Sequence, residues 1–453
     1  LSRKTQQKVI VKSRSPVANL VSVAHGARNY RELAALGLNP SAIIDFSANS
    51  NPYGPPPAVL EAVQAAVTSA NLAHYPDRHC LALTEAIAAA EGVSPDCILP
   101  TNGASELIQV VALAFIRPGS RHLVLTPTFG EYARAIQLMG GEVIEHWAGG
   151  KNLHFEPETV AAAIHQTQPD SIWLCNPNNP TGQSWQTEEL ALLFNAAPNT
   201  LWVVDESYHY FSNQISVVSS QNSVVSSQNS VVSSQNSVVS SQNSVVSSQN
   251  SVVSSQPRAS SKWQGADSGK RLPITNYQLS ITNYQLSITL RSLTKEFALA
   301  GLRLGYGVAA PEIVELLRVV QPPWSVNSLA QMAGVAALQP KVIAWRAETL
   351  TCLHRHAAEL WAGLAGLGYT VLPTATPFAL VEVGDAPAFR RRLLTQHGLL
   401  VRDCASFGLP HYVRIAARLP EENEKLLHAV EEIQRPQRFC PSWPGQGKPL
   451  RSN

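Results

Sequence analysis

An α/β architecture, in which a mainly parallel sheet is sandwiched by helices beside a smaller α+β domain, is predicted by three features of the sequence. From about Ala24 to Glu432, helical patterns alternate with short apolar runs such as Leu123–Leu125, Ile172–Leu174 and Leu201–Val204, as expected of strands buried under covering helices. A turn dense in Asn, Pro and Gly directly follows the second of these runs, at Cys175–Gly182, so a loop opens where a strand ends. The chain also has 453 residues, 45% of them hydrophobic and 15% charged, enough for two domains of roughly 100–200 residues each.

In chain order, LEAVQAAV (Leu60–Val67) and the stretch Leu81–Ala90 have helical periodicity. Asn102–Phe115 begins with Gly103 and Ser105 before an amphipathic run, which predicts a loop opening onto a helix. Two repeats then interrupt the alternation: six seven-residue units of SVVSSQN type from Ser216 to Pro257, and ITNYQLS twice from Ile274. Adjacent valines followed by Ser, Ser, Gln and Asn cannot form a heptad seam, and so polar a segment cannot bury enough surface to offset its ordering entropy. Residues 216–269 are therefore expected to be a disordered insertion, with β-prone self-association as the competing reading.

Composition excludes several classes of function. A formal net charge of +2 leaves no electrostatic footprint for nucleic acid, and the basic residues from Arg3 to Arg14 lack the spacing of a known reader. Six dispersed cysteines without a CxxC pair predict reduced thiols and no metal site. No apolar run approaches the ~20 residues of a membrane span, and no signal-peptide pattern follows the basic N-terminus. A cytoplasmic protein is expected.

The chemistry is carried by five segments. In SLTKEFALAGLRLGY (Ser292–Tyr306), Lys295 follows Ser292 by three residues and precedes Arg303 by eight. That spacing places an amine beside two phosphate-binding groups. TNGASE (Thr101–Glu106) contributes Gly103, Ala104 and Ser105 at a helix start, where free N–H groups and the positive dipole end favour a phosphate. In TPTFGEY, Phe129 can stack on a flat ring. In CNPNNPTG, Asn179 suits a phenolic oxygen. In VVDESY, Asp205 ends a buried strand, where a carboxylate is costly unless paired with a cation, and Tyr208 can reach the same ring.

Taken singly, each motif has an ordinary reading: a surface lysine, a helix cap, a core aromatic, a turn. Together, and in this order, they supply different edges of one cofactor, pyridoxal 5'-phosphate (PLP), with Lys295 holding it as a Schiff base and Asp205 keeping the ring an electron sink.

The chain resembles the class I and II aminotransferase family of fold-type-I PLP enzymes from His25 to Glu432 outside the repeats. That resemblance implies a PLP-binding Lys295, an Asp205 paired with the pyridine nitrogen, and an Arg303 on the cofactor phosphate. Within it, AHGARNYRELAALGLNPSAIIDFSANSNPYGPP (Ala24–Pro56), HYPDRHCLAL, PPWSVNSLAQ and VRDCASFGLPHYVRIAAR (Val401–Arg418) resemble the threonine-phosphate decarboxylases of cobalamin biosynthesis. Histidinol-phosphate aminotransferases share the core but typically lack the HG start and the RDC stretch.

The resemblance implies that Arg414 grips a substrate carboxylate with Asn49 and Asn179 nearby, while His25, Gly26 and Arg402 meet a phosphorylated side chain. It further implies that Tyr75 reaches the cofactor of a second subunit, so that a homodimer shares its sites. Two departures stand out: HGAR where relatives read HGG or HGGN, and Glu296 where an aromatic commonly follows the lysine.

The expected organisation is a flexible extension over 1–23, an arm and part of the small domain over 24–60, and the large PLP-binding domain over 61–320. The small domain over 321–434 and a flexible tail over 435–453 complete it. The expected reaction is decarboxylation of L-threonine O-3-phosphate. The alternatives are a histidinol-phosphate-type aminotransferase, a non-catalytic regulator, or an enzyme inactivated by the insertion. A regulator would need a helix-turn-helix ahead of this region, for which about two dozen residues are too few.

Overall fold

A computed structural model describes residue 20 and residues 23–212 and 286–434. The insertion expected over 216–269 and the tail over 435–453 lie outside the described residues, as does nearly all of the 1–23 extension. Thirteen strands are described: β1 (Ile44–Asp45), β2 (Ile98–Thr101), β3 (Arg121–Thr126), β4 (Glu142–Trp147), β5 (Ser171–Cys175), β6 (Leu201–Asp205), β7 (Ser287–Ser292), β8 (Gly305–Ala309), β9 (Thr370–Val371), β10 (Phe378–Glu382), β11 (Leu399–Leu400), β12 (Arg402–Asp403) and β13 (Tyr412–Ala416).

Seven of them form one sheet in the order β2-β8-β7-β6-β5-β3-β4. The four pairings from β7 to β4 are parallel, while β8 runs antiparallel to both β7 and β2. The expected mainly parallel sheet is therefore present. Its inner strands, such as SIWLC and SITLRS, are buried along their whole length, which suits β-branched and aromatic side chains covered on both faces.

Alternation along each strand divides those side chains between two helical layers. Leu123, Leu125, Ile172, Leu174, Trp202 and Val204 pack under helices Pro157–Thr167 and Thr187–Ala196. Val124, Trp173, Val203, Ile288 and Leu290 pack under helices Ala104–Phe115, Glu131–Met139 and Pro311–Val320. The helix read at Leu60–Val67 spans Pro57–Ala66, its start set by a proline whose fixed φ suits the first helical position. It packs with helices Leu81–Glu91 and Ser328–Ala337 against β2 and β8.

The second sheet is antiparallel, β12-β13-β10-β9, and is backed by helices Pro340–Gly366, Ala386–His397 and Pro420–Gln434. It sets Arg402 directly opposite Arg414. The N-terminal arm is tied to this part by the parallel pair β1–β11.

Beneath the main sheet's edge, Arg291 is buried with its Nη2 3.2 Å from Glu206 and 3.5 Å from Glu91. Removing the guanidinium would take the cation away from two buried carboxylates. Arg291→Met is expected to lower stability by about 3–5 kcal/mol, read from urea unfolding midpoints at constant m-value.

Candidate active site

Because β3, β5, β6 and β7 are parallel, their carboxyl ends share one edge of the sheet, where open α/β folds bind ligands. A cavity of about 410 Å³ opens there, and every predicted site residue except Tyr75 lines it. Phe129 and Asn179 follow β3 and β5, Asp205 ends β6, Ser292 ends β7, Gly103 follows β2, and Arg303 precedes β8.

One end of the cavity is built for a phosphate. Helix Ala104–Phe115 starts after Gly103, which sits at φ +77° with no side-chain cap, leaving the first N–H groups of Ala104 and Ser105 open toward the cavity. A Cβ on Gly103 would lie 2.8 Å from the Arg303 guanidinium, so only glycine lets that cation approach the helix start. Arg303 itself occupies the left-handed region at φ +57°. The Ser292 hydroxyl shares a 2.7 Å hydrogen bond with Thr294, which also lines the site.

The opposite side suits a protonated ring nitrogen. Asp205 is buried, accepting from the Tyr132 hydroxyl at 2.6 Å and from the Ser207 N–H at 2.9 Å. These bonds aim the carboxylate into the cavity. Burial and then the adjacent Asp205 hold the Tyr132 phenol well above its ordinary range, so it remains a donor. Tyr208 is pushed up to about 12 by burial, opposed by Arg414. The buried Asn49 amide lies near that phenol without closing a hydrogen bond. Phe129 meets Tyr132 edge-on at 5.7 Å.

Lys295 projects toward the cavity with its Nζ 6.0 Å from the Tyr208 ring centroid. Desolvation first, then Arg414 and Arg303, bring its pKa down to about 8, with Asp205 and Glu296 opposing. A lysine so depressed supplies a neutral amine near neutral pH.

The third side is cationic. Arg414 donates through Nη1 to Asn179 Oδ1 and through Nη2 to the Ser47 carbonyl at 2.6 Å. Arg402 donates through Nη2 to the Ala24 carbonyl at 2.9 Å and to the Ser406 hydroxyl at 2.6 Å. Neither arginine makes an ion pair with a carboxylate among the described residues. Burial and the neighbouring Arg414 push the Arg402 pKa down. Two buried guanidinium groups side by side, each held by neutral acceptors, leave charge for an anion to neutralise. Gly26 closes on Arg414 so tightly that a Cβ there would meet the Ser47 carbonyl at 2.5 Å and Arg414 Nη2 at 3.2 Å. His25 lies beside Phe129, with ring centroids 5.7 Å apart.

Tyr75 is elsewhere: 79% exposed and stacked on Trp324 at 4.6 Å. Sequence reasoning missed Tyr132, Ser47 and Glu131. Tyr132 lies in the quoted TPTFGEY segment, but two aromatics in one segment do not reveal which one turns toward Asp205.

The family model for aminotransferase class I and II matches residues 41–237 and 265–430, and the chain belongs to that family. Histidinol-phosphate aminotransferase from Moorella thermoacetica is 30% identical over 398 residues, covering 86% of this chain and 85% of that protein. Among solved structures, histidinol-phosphate aminotransferase from Sinorhizobium meliloti in complex with PLP superposes with TM-score 0.72 at 19% identity, covering 94% of this chain and 98% of that one. L-threonine-O-3-phosphate decarboxylase from Porphyromonas gingivalis superposes with TM-score 0.65 at 23% identity, covering 86% and 99%. The fold is the fold-type-I PLP aminotransferase fold, and the protein is a PLP enzyme of this family. The phosphate cradle at Gly103, the buried carboxylate of Asp205 and the depressed amine of Lys295 fit that cofactor.

Two measurements follow from Lys295. Capture of PLP by cofactor-free protein should quicken as pH rises through about 8 rather than the ordinary 10.5, because only the neutral amine attacks. Borohydride reduction of the loaded protein should fix the cofactor on Lys295, seen by peptide mass spectrometry, and Lys295→Ala should leave none attached.

Proposed function

We propose that the protein is a PLP-dependent decarboxylase of a small phosphorylated amino acid, L-threonine O-3-phosphate, yielding 1-aminopropan-2-yl phosphate. The observation that carries this reading is the His25–Gly26 arm seated in the cofactor cavity against Arg414 and opposite Arg402. This HG element separates the decarboxylases from the aminotransferases in the sequence resemblance, and here it closes the cationic end of the site. A carboxylate and a phosphomonoester on one substrate match two buried guanidinium groups.

PLP, when bound, supplies a sink for the electron pair left at Cα. Lys295, Asp205, Tyr208, Asn179, Phe129, Ser292, Arg303 and the Gly103–Ser105 turn would hold it. Arg414, with Asn49 and Asn179, orients the carboxylate, while Arg402, His25 and Gly26 take the phosphate. The Cα–carboxylate bond breaks, carbon dioxide leaves, and Lys295 delivers a proton to Cα. On this reading residues 61–320 form the cofactor-binding domain and 321–434 the small domain of a cytoplasmic homodimer.

Transamination of histidinol phosphate is the second reading, and the relative from Moorella thermoacetica named above favours it over decarboxylation. It uses the same groups, with Lys295 removing the Cα proton instead and the arginines holding the phosphate.

Product analysis separates the two. Purified holoenzyme is expected to release carbon dioxide from threonine phosphate with no 2-oxoacid present. A keto product formed from histidinol phosphate only when 2-oxoglutarate is added, with threonine phosphate inert, would overturn the decarboxylase. For the homodimer, mixing inactive Tyr75→Ala and Lys295→Ala chains should restore activity that neither has alone, because one of the two sites in a mixed pair is then intact.

A further inference from the structure

We propose that Glu131 is a positioning residue that fixes the His25 imidazole at the cavity and lets it donate to the substrate phosphate. The inference rests on the reading that the substrate is a phosphorylated amine.

Glu131 opens helix Glu131–Met139 and is only 9% exposed. Its Oε1 lies 3.1 Å from His25 Nε2, and its Oε2 accepts from Arg134 Nη1 at 2.9 Å. The carboxylate is thus anchored from behind and points at the imidazole, while Phe129 flanks the ring. His25 lines the cavity on the side away from the phosphate cradle of Gly103, near Arg402 and Arg414.

The tautomer gives this contact its consequence. If the Nε2 proton is given to Glu131, 3.1 Å away, a neutral ring offers only the Nδ1 lone pair to an approaching anion. A protonated ring donates from both nitrogens, one to Glu131 and one to the phosphate. A carboxylate on one side and a phosphate on the other therefore suit the charged ring, in the manner of a carboxylate that orients a ligating histidine. The remaining charged groups facing this arm are Arg402 and Arg414 from the small sheet, Arg134 behind Glu131, and Lys295 with Asp205 across the cavity. The arginines keep their charge throughout the imidazole range.

The test titrates O-phospho-L-threonine and L-histidinol phosphate, each beside its unphosphorylated counterpart, into holoenzyme. Affinity is read from the cofactor absorbance on rapid mixing, before turnover. Glu131→Gln and His25→Gln should each weaken the preferred phosphorylated ligand about tenfold, the scale of one charge-assisted hydrogen bond, and leave its unphosphorylated counterpart unchanged. The double variant should be no weaker than either single one. Glu131→Asp keeps the charge but withdraws it by one methylene, and gives the same comparison should the glutamine variant fold poorly.

Equal losses on both ligands, or additive losses in the double variant, would overturn the proposal and leave Glu131 a structural residue. So would wild-type preference for the phosphorylated ligand that Glu131→Gln leaves intact, and there the substrate reading survives. A wild-type protein with no preference for either phosphorylated ligand sinks both.

Discussion

The parallel pairing of β3, β5, β6 and β7 is the constraint on which the rest of the molecule depends. Strands that run the same way must return through crossovers, so their carboxyl ends gather on one edge. Segments far apart in sequence, from Thr101 to Arg303, therefore open into one cavity. The same pairing buries both faces of the inner strands. Polar chemistry is confined to strand ends because that is where backbone and side chains can turn toward a ligand without breaking a ladder.

Charge balance at that edge is uneven. Asp205 is satisfied by Tyr132 and a backbone N–H, and Arg291 by Glu206 and Glu91. Among the described residues, Lys295, Arg402 and Arg414 have no such carboxylate, and Arg303 stands at the uncapped helix start. In a desolvated pocket this excess of positive charge is costly, and anions offset it at two separated places. One is the cradle of Gly103 and Arg303, where the cofactor phosphate fits. The other is the arginine pair beneath the N-terminal arm, which calls for anionic groups on the substrate. The distance along the cavity between the two sets the orientation in which a small amine presents its Cα to Lys295.

Much of this was legible because the informative motifs are local. A glycine before a helix, an aspartate at the end of an apolar strand and a lysine after a serine each announce a geometry within a few residues. What escaped notice depends on registers. Arg402 and Arg414 face each other because β12 and β13 pair antiparallel, and twelve residues of spacing do not reveal that. Tyr132 reaches Asp205 across 73 residues of chain, and His25 finds Glu131 only because the arm folds back over helix Glu131–Met139. Tyr75 does not line the cavity of its own chain.

The position of the repeats bears on whether such a site can survive them. Residues 213–285 join Ser212, beyond the end of β6, to Leu286, just before β7. β6 and β7 are adjacent and parallel, so their connection must in any case cross from one edge of the sheet to the other and needs a dozen or more residues. In general, the closure entropy of a connection rises slowly with its length, by about 0.6 kcal/mol for each doubling. Against that small entropy stands the pairing of the two strands, in register from Trp202 with Ser287 to Asp205 with Leu290, with Val203, Val204, Ile288 and Leu290 in the core. The connection starts at the catalytic edge and ends at the opposite one. Asp205 is therefore placed by the ladder between β6 and β7, and Ser292 by the ladder between β7 and β8, so both positions are set by strand pairing rather than by the connecting chain.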